Sequence, residues 1–516
     1  MLIPSVSHTF IFASILFALT ACQQAPAASD EAPEERVATA GTMAEDKDLF
    51  EAIDQAIETE MRENHIPGVA VVIVRDGQTI YKQGYGVANA ETNEPVDPDR
   101  TIFRIGSTSK ALTLLALTRL VDDGRLDRET AVSDYFAAIE NGDAFPRPVT
   151  VENLLTHTTG FDQPGFGRQL GGFEFSISER QAARPRLSDF LSDRNLRRIN
   201  PPGEFFRYDT YGPTLAGVIL EQVTGLPFDE AMQQEMFAPL GMELSSVEVR
   251  PEHEELLASG HGYVDGAYET TPYEIYMTTP ASSIDATVAD MGRLLEALTG
   301  DGSNAHGRFI GEDMQQTVLR PHYRPREGFA GMSHGLWESL SEGRGEGAIP
   351  IRTLGHGGDM WGFNGSMTLI PELDLAFYVI ANRNGEGGGP RVKIGGPVMQ
   401  TILATLLPDR VAQMIDVPLI NVDADLSAYE GTYYWSVFCH TCTPAEFELG
   451  AWRRPNPILV EAQSGRLSID GRIFIPLGED VFVDETGFDQ IFFKRNASGA
   501  ISSYSFKEDP TAYEKG

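Results

Sequence analysis

Residues 103–110, Phe-Arg-Ile-Gly-Ser-Thr-Ser-Lys, run straight into Ala111-Leu112-Thr113-Leu114-Leu115-Ala116-Leu117. The span 111–121 is apolar on every side and stops at Asp123-Gly124, which predicts a helix buried between other elements. If Ser107 opens that helix, Lys110 three residues later stands on the same face, within contact distance. The helix dipole there favours negative charge on the serine oxygen. A lysine beside a buried helix should lose its proton more easily, because burial disfavours the charged form. Hydrolysis by serine needs such a base, a hydroxyl that can lose its proton, and donors for the oxyanion. S-x-x-K alone is a weak signal, since average usage gives about one or two chance matches in a chain this long. The bland alternative is a helix-capping serine with a solvent-facing lysine. Among Lys47, Lys82, Lys110, Lys393, Lys494, Lys507 and Lys515, only Lys110 has a serine three residues before it.

Outward from this helix, Leu49, Ile53, Ile57 and Met61 recur every four residues, predicting an amphipathic helix over 46–63. Residues 68–74 and 79–87 read as strands joined by an Asp76-Gly77 hairpin turn. Helical patterns follow at 151–155, 187–191, 213–223 and 228–237, with a Gly-rich, polar loop expected at 161–186. A second strand pair is expected at 366–370 and 375–381, then a closing helix at 398–407. Strands at both ends with helices between them predict an α/β (α+β) unit over 46–415. Its antiparallel sheet is made from the two termini, flanked by helices and carrying a helical insertion. After Asp423, short strand candidates at 431–438, 458–462, 467–469, 472–476, 481–483 and 490–493 predict a separate, barrel-like all-β domain over 424–516.

Five stretches then occur in order: FRIGSTSK (103–110), TVENLLTHTTGF (150–161), PGEFFRYDTYGPTLAG (202–217), PASSIDATVADMGRL (280–294) and GHGGDMWGFNGSMTL (355–369). Together they resemble the serine β-lactamase and penicillin-binding-protein superfamily, in particular its class C β-lactamase-like hydrolases. The resemblance spans residues 46–407. It implies Ser107 as nucleophile, with Lys110 and Tyr208 as a proton shuttle, base first and then acid. A neighbouring ammonium is expected to free a useful fraction of phenolate on a group that otherwise titrates near about 10; the alternative for Tyr208 is a packed core tyrosine.

The resemblance also implies an oxyanion hole from the backbone N–H groups of Ser107 and Asp359. Gly357 and Gly358 would let the strand edge approach the substrate, or would mark a simple bulge. His157 is expected to support the site rather than carry a proton. Two positions depart from the family pattern. Thr210 stands where a carboxamide is usual and cannot offer its separate donor and acceptor ends to a substrate amide. His356 replaces a lysine, so the permanent charge for a substrate carboxylate is missing. Both lean towards an esterase or a D-amino-acid peptidase acting on a small ester, amide or peptide. A true β-lactamase or D-Ala-D-Ala carboxypeptidase, or an envelope receptor that has lost turnover, are the alternatives. The tail from Asp425 resembles the lipocalin-like β domains found after such hydrolases, and would either cap the site or bind a partner.

The N-terminus carries an address. Residues 10–19 (FIFASILFAL) are too short to span a bilayer but suit a signal peptide, and Leu19-Thr20-Ala21-Cys22 resembles a bacterial lipobox. This implies a signal over 1–21, a lipidated Cys22 and a disordered tether over 22–45, placing the protein on the periplasmic side of the outer membrane. The early residues lack Lys and Arg, and export with cleavage after Ala25-Pro26-Ala27 is the alternative. Lipidation would leave Cys439 and Cys442 to form a local disulfide, with a free pair or a metal as lesser options. The net charge of −35 argues against nucleic acid as a partner, because phosphate binding needs a basic face. His253-Glu254 lacks the second histidine of a zinc motif, no G-x-S-x-G surrounds Ser107, and no phosphate loop occurs, so no metal or cofactor is implied.

Overall fold

A computed structural model describes residues 40–140, 145–162, 177–182, 185–192, 196–342, 349–385, 392–410, 415–442 and 455–516. The apolar run at 10–19, Cys22, most of the expected tether and residues 163–176 of the expected loop lie outside them. Among the described residues no helix is long and apolar enough to cross a membrane.

Helix α1 (Ala40–Glu63) begins six residues earlier than the 46–63 pattern predicts, so the end of the expected tether is helical. Ala40, Met43 and Ala44 are good helix formers that extend a helix already nucleated further along. Strands β1 (Gly68–Arg75) and β2 (Gln78–Asn89) form the expected hairpin through Asp76 and Gly77, whose φ values are 51° and 71°. A two-residue strand β3 (Glu94–Pro95) ends that edge. There follow α2 (Thr108–Asp122), α3 (Val151–Leu155), α4 (Tyr211–Thr224), α5 (Thr279–Ser282) and α6 (Val288–Thr299). Strands β4 (Trp337–Glu342), β5 (Pro350–Met360), β6 (Phe363–Ile370) and β7 (Leu375–Ala381) return to the sheet, and α7 (Gly395–Leu406) closes the unit.

The sheet order is β4-β5-β6-β7-β1-β2-β3, so the first and last parts of this unit meet where Val69 pairs with Ala381. Alternate side chains of β1 enter different cores. Val69, Val71 and Ile73 pack with Leu49, Ile53 and Ile57 of α1, whereas Ala70, Val72 and Val74 pack with α2 and α6. Strand β1 therefore reads as a continuous apolar run, buried on both faces.

Eight antiparallel strands from β8 (Gly431–Trp435) to β15 (Ala512–Lys515) form a closed barrel. It has its own aromatic core of Tyr433, Phe474, Phe482, Phe493 and Tyr504. Its last two strands, β14 (Ile501–Phe506) and β15, were not foreseen; closure comes from pairing Tyr433 with Lys515. Cys439 and Cys442 form the local disulfide.

The barrel is docked rather than tethered. The buried Arg207 guanidinium donates to Ser436 O and to Glu514 of the barrel. Asp162 accepts from the backbone N–H groups of His440 and Thr441, each at 2.8 Å, beside the disulfide. On the sheet edge, the N–H of Leu340 in β4 donates to Glu508 O at 3.3 Å. Removing one partner of a buried ion pair leaves the other charge uncompensated, at about 3–5 kcal/mol. Arg207→Ala should therefore lower stability by roughly that order and expose the buried segment around Ser436 to protease, checked by urea unfolding and limited proteolysis. Unchanged stability and protection would show that this dock is not held by Arg207.

Candidate active site

Helix α2 begins where the sequence places it, with Ser107 as the residue ahead of its first turn (φ −63°, ψ −13°). Thr108, Ser109 and Lys110 spend their N–H groups on Ile105, Gly106 and Ser107 carbonyls. Gly106 has φ +55°, and a Cβ there would meet Asp359 N and O at 3.2 Å, so glycine is required twice over.

Lys110 is fully buried. Its ammonium nitrogen lies 3.2 Å from Ser107 Oγ and donates to Ala281 O at 3.1 Å. Burial pushes its pKa down to about 7, against the opposing pull of the Asp209 carboxylate. The same segment around α5 grips α2 elsewhere: Thr113 Oγ1 donates to Pro280 O at 2.7 Å, and Ser109 Oγ accepts from Ile284 N at 3.0 Å.

Tyr208 leads into α4 and faces the pair. Lys110 Nζ lies 5.0 Å from its ring centroid, and Ser107 hydrogen-bonds its hydroxyl. The expectation of a phenolate is corrected here. Desolvation holds this phenol well above its ordinary range, outweighing the help from Ser107, so Tyr208 stays protonated while Lys110 is the group that titrates near neutrality. Rings of His157, His356 and Trp337 surround it at centroid distances of 5.2, 5.8 and 5.9 Å.

His356 lies on β5, 6% exposed. Its Nδ1 lies 2.7 Å from Gly357 O, and its buried Nε2 has no hydrogen-bond partner. Desolvation, and then the neighbouring Lys110 charge, push its pKa down to about 3, so the imidazole is neutral. With the proton placed on Nδ1 to serve Gly357 O, Nε2 presents a lone pair.

Strand β4 pairs with β5 only as far as Gly355, so 356–360 extend beyond that partner, alongside α2. The two glycines differ. A Cβ on Gly358 would come 2.0 Å from Ile105 O, whereas one on Gly357 would meet nothing nearer than Gly365 O at 3.9 Å. Asp359 is exposed, with Oδ1 3.0 Å from Asn384 Nδ2. Thr210 is fully buried, its carbonyl accepting from Thr214. It is as buried as Lys110.

The structure thus brings Ser107, Lys110, Tyr208, His356, Gly358 and Asp359 together from α2, the α4 entrance and β5. The sequence reading missed the Ala281 carbonyl, the Asp209 charge and the Trp337 wall. Asp209 had a signal, an acid beside the tyrosine in an apolar setting; a backbone carbonyl and a lone tryptophan had none. A cavity of about 770 Å³ lined by Arg104, Thr271, Tyr273 and Phe363 lies elsewhere, and none of Ser107, Lys110, Tyr208 or His356 lines it. The chemistry, not the volume, marks the candidate site.

The fold and this constellation define the β-lactamase/transpeptidase-like class. The Beta-lactamase family model matches residues 53–394, and the chain belongs to that family. It is 24% identical to Penicillin-binding protein 4 of Amycolatopsis lactamdurans over 72% of this chain and 94% of that one. It is 30% identical to Esterase EstB of Burkholderia gladioli over 40% of this chain and 53% of the esterase. Among solved structures, the octameric penicillin-binding protein homologue from Pyrococcus abyssi superposes with a TM-score of 0.55 at 21% identity, covering 90% of this chain and all of the other. A class C β-lactamase gives 0.54 at 21% identity, covering 70% of this chain and 97% of its own.

Gly358→Ala should cut turnover by roughly a hundredfold, because a shifted β5 loses its register with α2. Gly357→Ala should fold and retain far more activity. Equal effects of the two substitutions on ester hydrolysis would contradict the close-approach argument.

Proposed function

We propose that the protein is an acyl-enzyme serine hydrolase of small esters or amides, of the esterase or D-amino-acid peptidase type. The observation that carries this reading is the buried Lys110 amine 3.2 Å from Ser107 Oγ, titrating near about 7. Ser107 Oγ attacks the carbonyl while its proton passes to neutral Lys110. The backbone N–H groups of Ser107 and Asp359 receive the oxyanion. Tyr208, kept protonated by burial, donates to the leaving group and is reprotonated from Lys110. Water then releases the acyl group by the reverse path.

The neutral His356, with its Nε2 lone pair, suits a substrate N–H or O–H donor and offers no cation to a carboxylate. This supports an ester or amide substrate without a carboxylate anchor. A β-lactamase or carboxypeptidase reading would need that anchor from elsewhere. The lipobox-like Leu19-Thr20-Ala21-Cys22 supports attachment of the enzyme to the bacterial envelope through Cys22.

A fluorophosphonate probe should label Ser107, and Ser107→Ala should abolish both labelling and ester turnover; retained turnover would sink the reading. Because the base must be neutral, kcat/KM should rise with pH through about 7, as Lys110 loses its proton, and a flat profile from pH 5.5 to 8.5 would remove Lys110 as the base. In parallel assays, a short-chain ester or D-amino-acid amide should turn over faster than a chromogenic cephalosporin.

A further inference from the structure

Glu152, His322 and His334 come together away from the Ser107 constellation, each offering one ligand atom within 4.8 Å of the others. Glu152 lies on α3, and the two histidines flank a turn before β4. The carboxylate reaches both rings: Oε1 is 3.4 Å from His322 Nδ1, and Oε2 is 3.3 Å from His334 Nε2. The imidazoles stack at 4.2 Å.

Hydrogen bonding leaves this cluster incomplete. His322 Nε2 lies 3.1 Å from Thr317 O, which places its proton there and leaves a lone pair on Nδ1 facing a carboxylate oxygen. Two acceptors at that distance repel unless a cation or proton lies between them. His334 is fully buried; its Nε2 faces Glu152 Oε2 at 3.3 Å, and its Nδ1 has no hydrogen-bond partner. Arg128, a nearby cation, is about half exposed and lies 4.0 Å from Glu129.

From this geometry we infer a divalent metal site of the zinc type, with Glu152, His322 and His334 as ligands and a water in the fourth position. Four-coordinate zinc with bonds of about 2.0–2.1 Å sets neighbouring ligand atoms about 3.3 Å apart; each imidazole here faces its own carboxylate oxygen, at 3.4 and 3.3 Å, and one atom from each residue lies within 4.8 Å of the others, so an ion would draw the three together. Two imidazole nitrogens favour a zinc-like ion over calcium or magnesium, which take oxygen ligands. Glu152 and His322 are 21% and 16% exposed, which leaves a path for the ion and for a water ligand.

The ion would act as a clip. It would join α3, which leads to His157, to the turn whose Met332 bridges Trp337. His157 and Trp337 are two of the three rings around Tyr208, at 5.2 and 5.9 Å. The site would thus hold two walls of the candidate active site in register without touching a reacting atom.

The test uses the full-length protein, stripped with chelator and titrated with Co²⁺ and then Zn²⁺. One equivalent of Co²⁺ should bind with the visible absorption of a four-coordinate site, Zn²⁺ should displace it, and the thermal midpoint should rise. His322→Gln and Glu152→Gln should weaken binding on the order of tenfold or more, with metal-free stability unchanged. X-ray absorption at the zinc edge of the wild-type protein should count two imidazoles, a readout that does not depend on any variant folding. No uptake, equal uptake by both variants, or a zinc shell without two imidazoles would each overturn the site.

Discussion

An amine buried in an apolar helix can be accommodated only if it gives up its charge or is matched by one, and much of this structure is arranged around that condition. Lys110 enters the interior on α2, a helix buried along most of its length. Its nitrogen is held by a serine hydroxyl and a backbone carbonyl, and the nearby Asp209 only partly offsets desolvation. The same dryness acts on its neighbours. It keeps the Tyr208 phenol protonated and the His356 imidazole neutral. Burial thus acts on all three side chains around Ser107 in one direction, disfavouring their charged forms.

That environment has to be walled off, and three parts of the chain supply the walls. Strand β5 approaches α2 at Gly358, where no side chain could fit. The α5 segment lays its carbonyls against Lys110 and Thr113. The barrel is the third. Its bonds to Arg207, the residue before Tyr208, and to Asp162, near His157, fix the backbone on which those rings are mounted. It keeps a core of its own.

Which parts could be read from the chain alone follows from the range of the forces involved. The S-x-x-K spacing, the Asp76-Gly77 turn, the apolar period of α1 and the alternation of six barrel strands are local signals, and each is present in the structure. The start of α1 was misplaced because helix extension depends on a neighbouring packed turn rather than on its own residues. Strand β4 and the last two barrel strands were missed because a polar edge strand, or one that closes a barrel, is specified by its partner.

The sequence by itself determined the chemical cast: a serine and a lysine one helical turn apart, a tyrosine and a His-Gly-Gly strand following in order. Only the tertiary structure decided their protonation and reach. Burial is a property of everything packed around a group, and no spacing along the chain encodes it. For the same reason the Tyr208 phenolate gave way to a phenol, and Glu152 met His322 and His334 from distant parts of the chain.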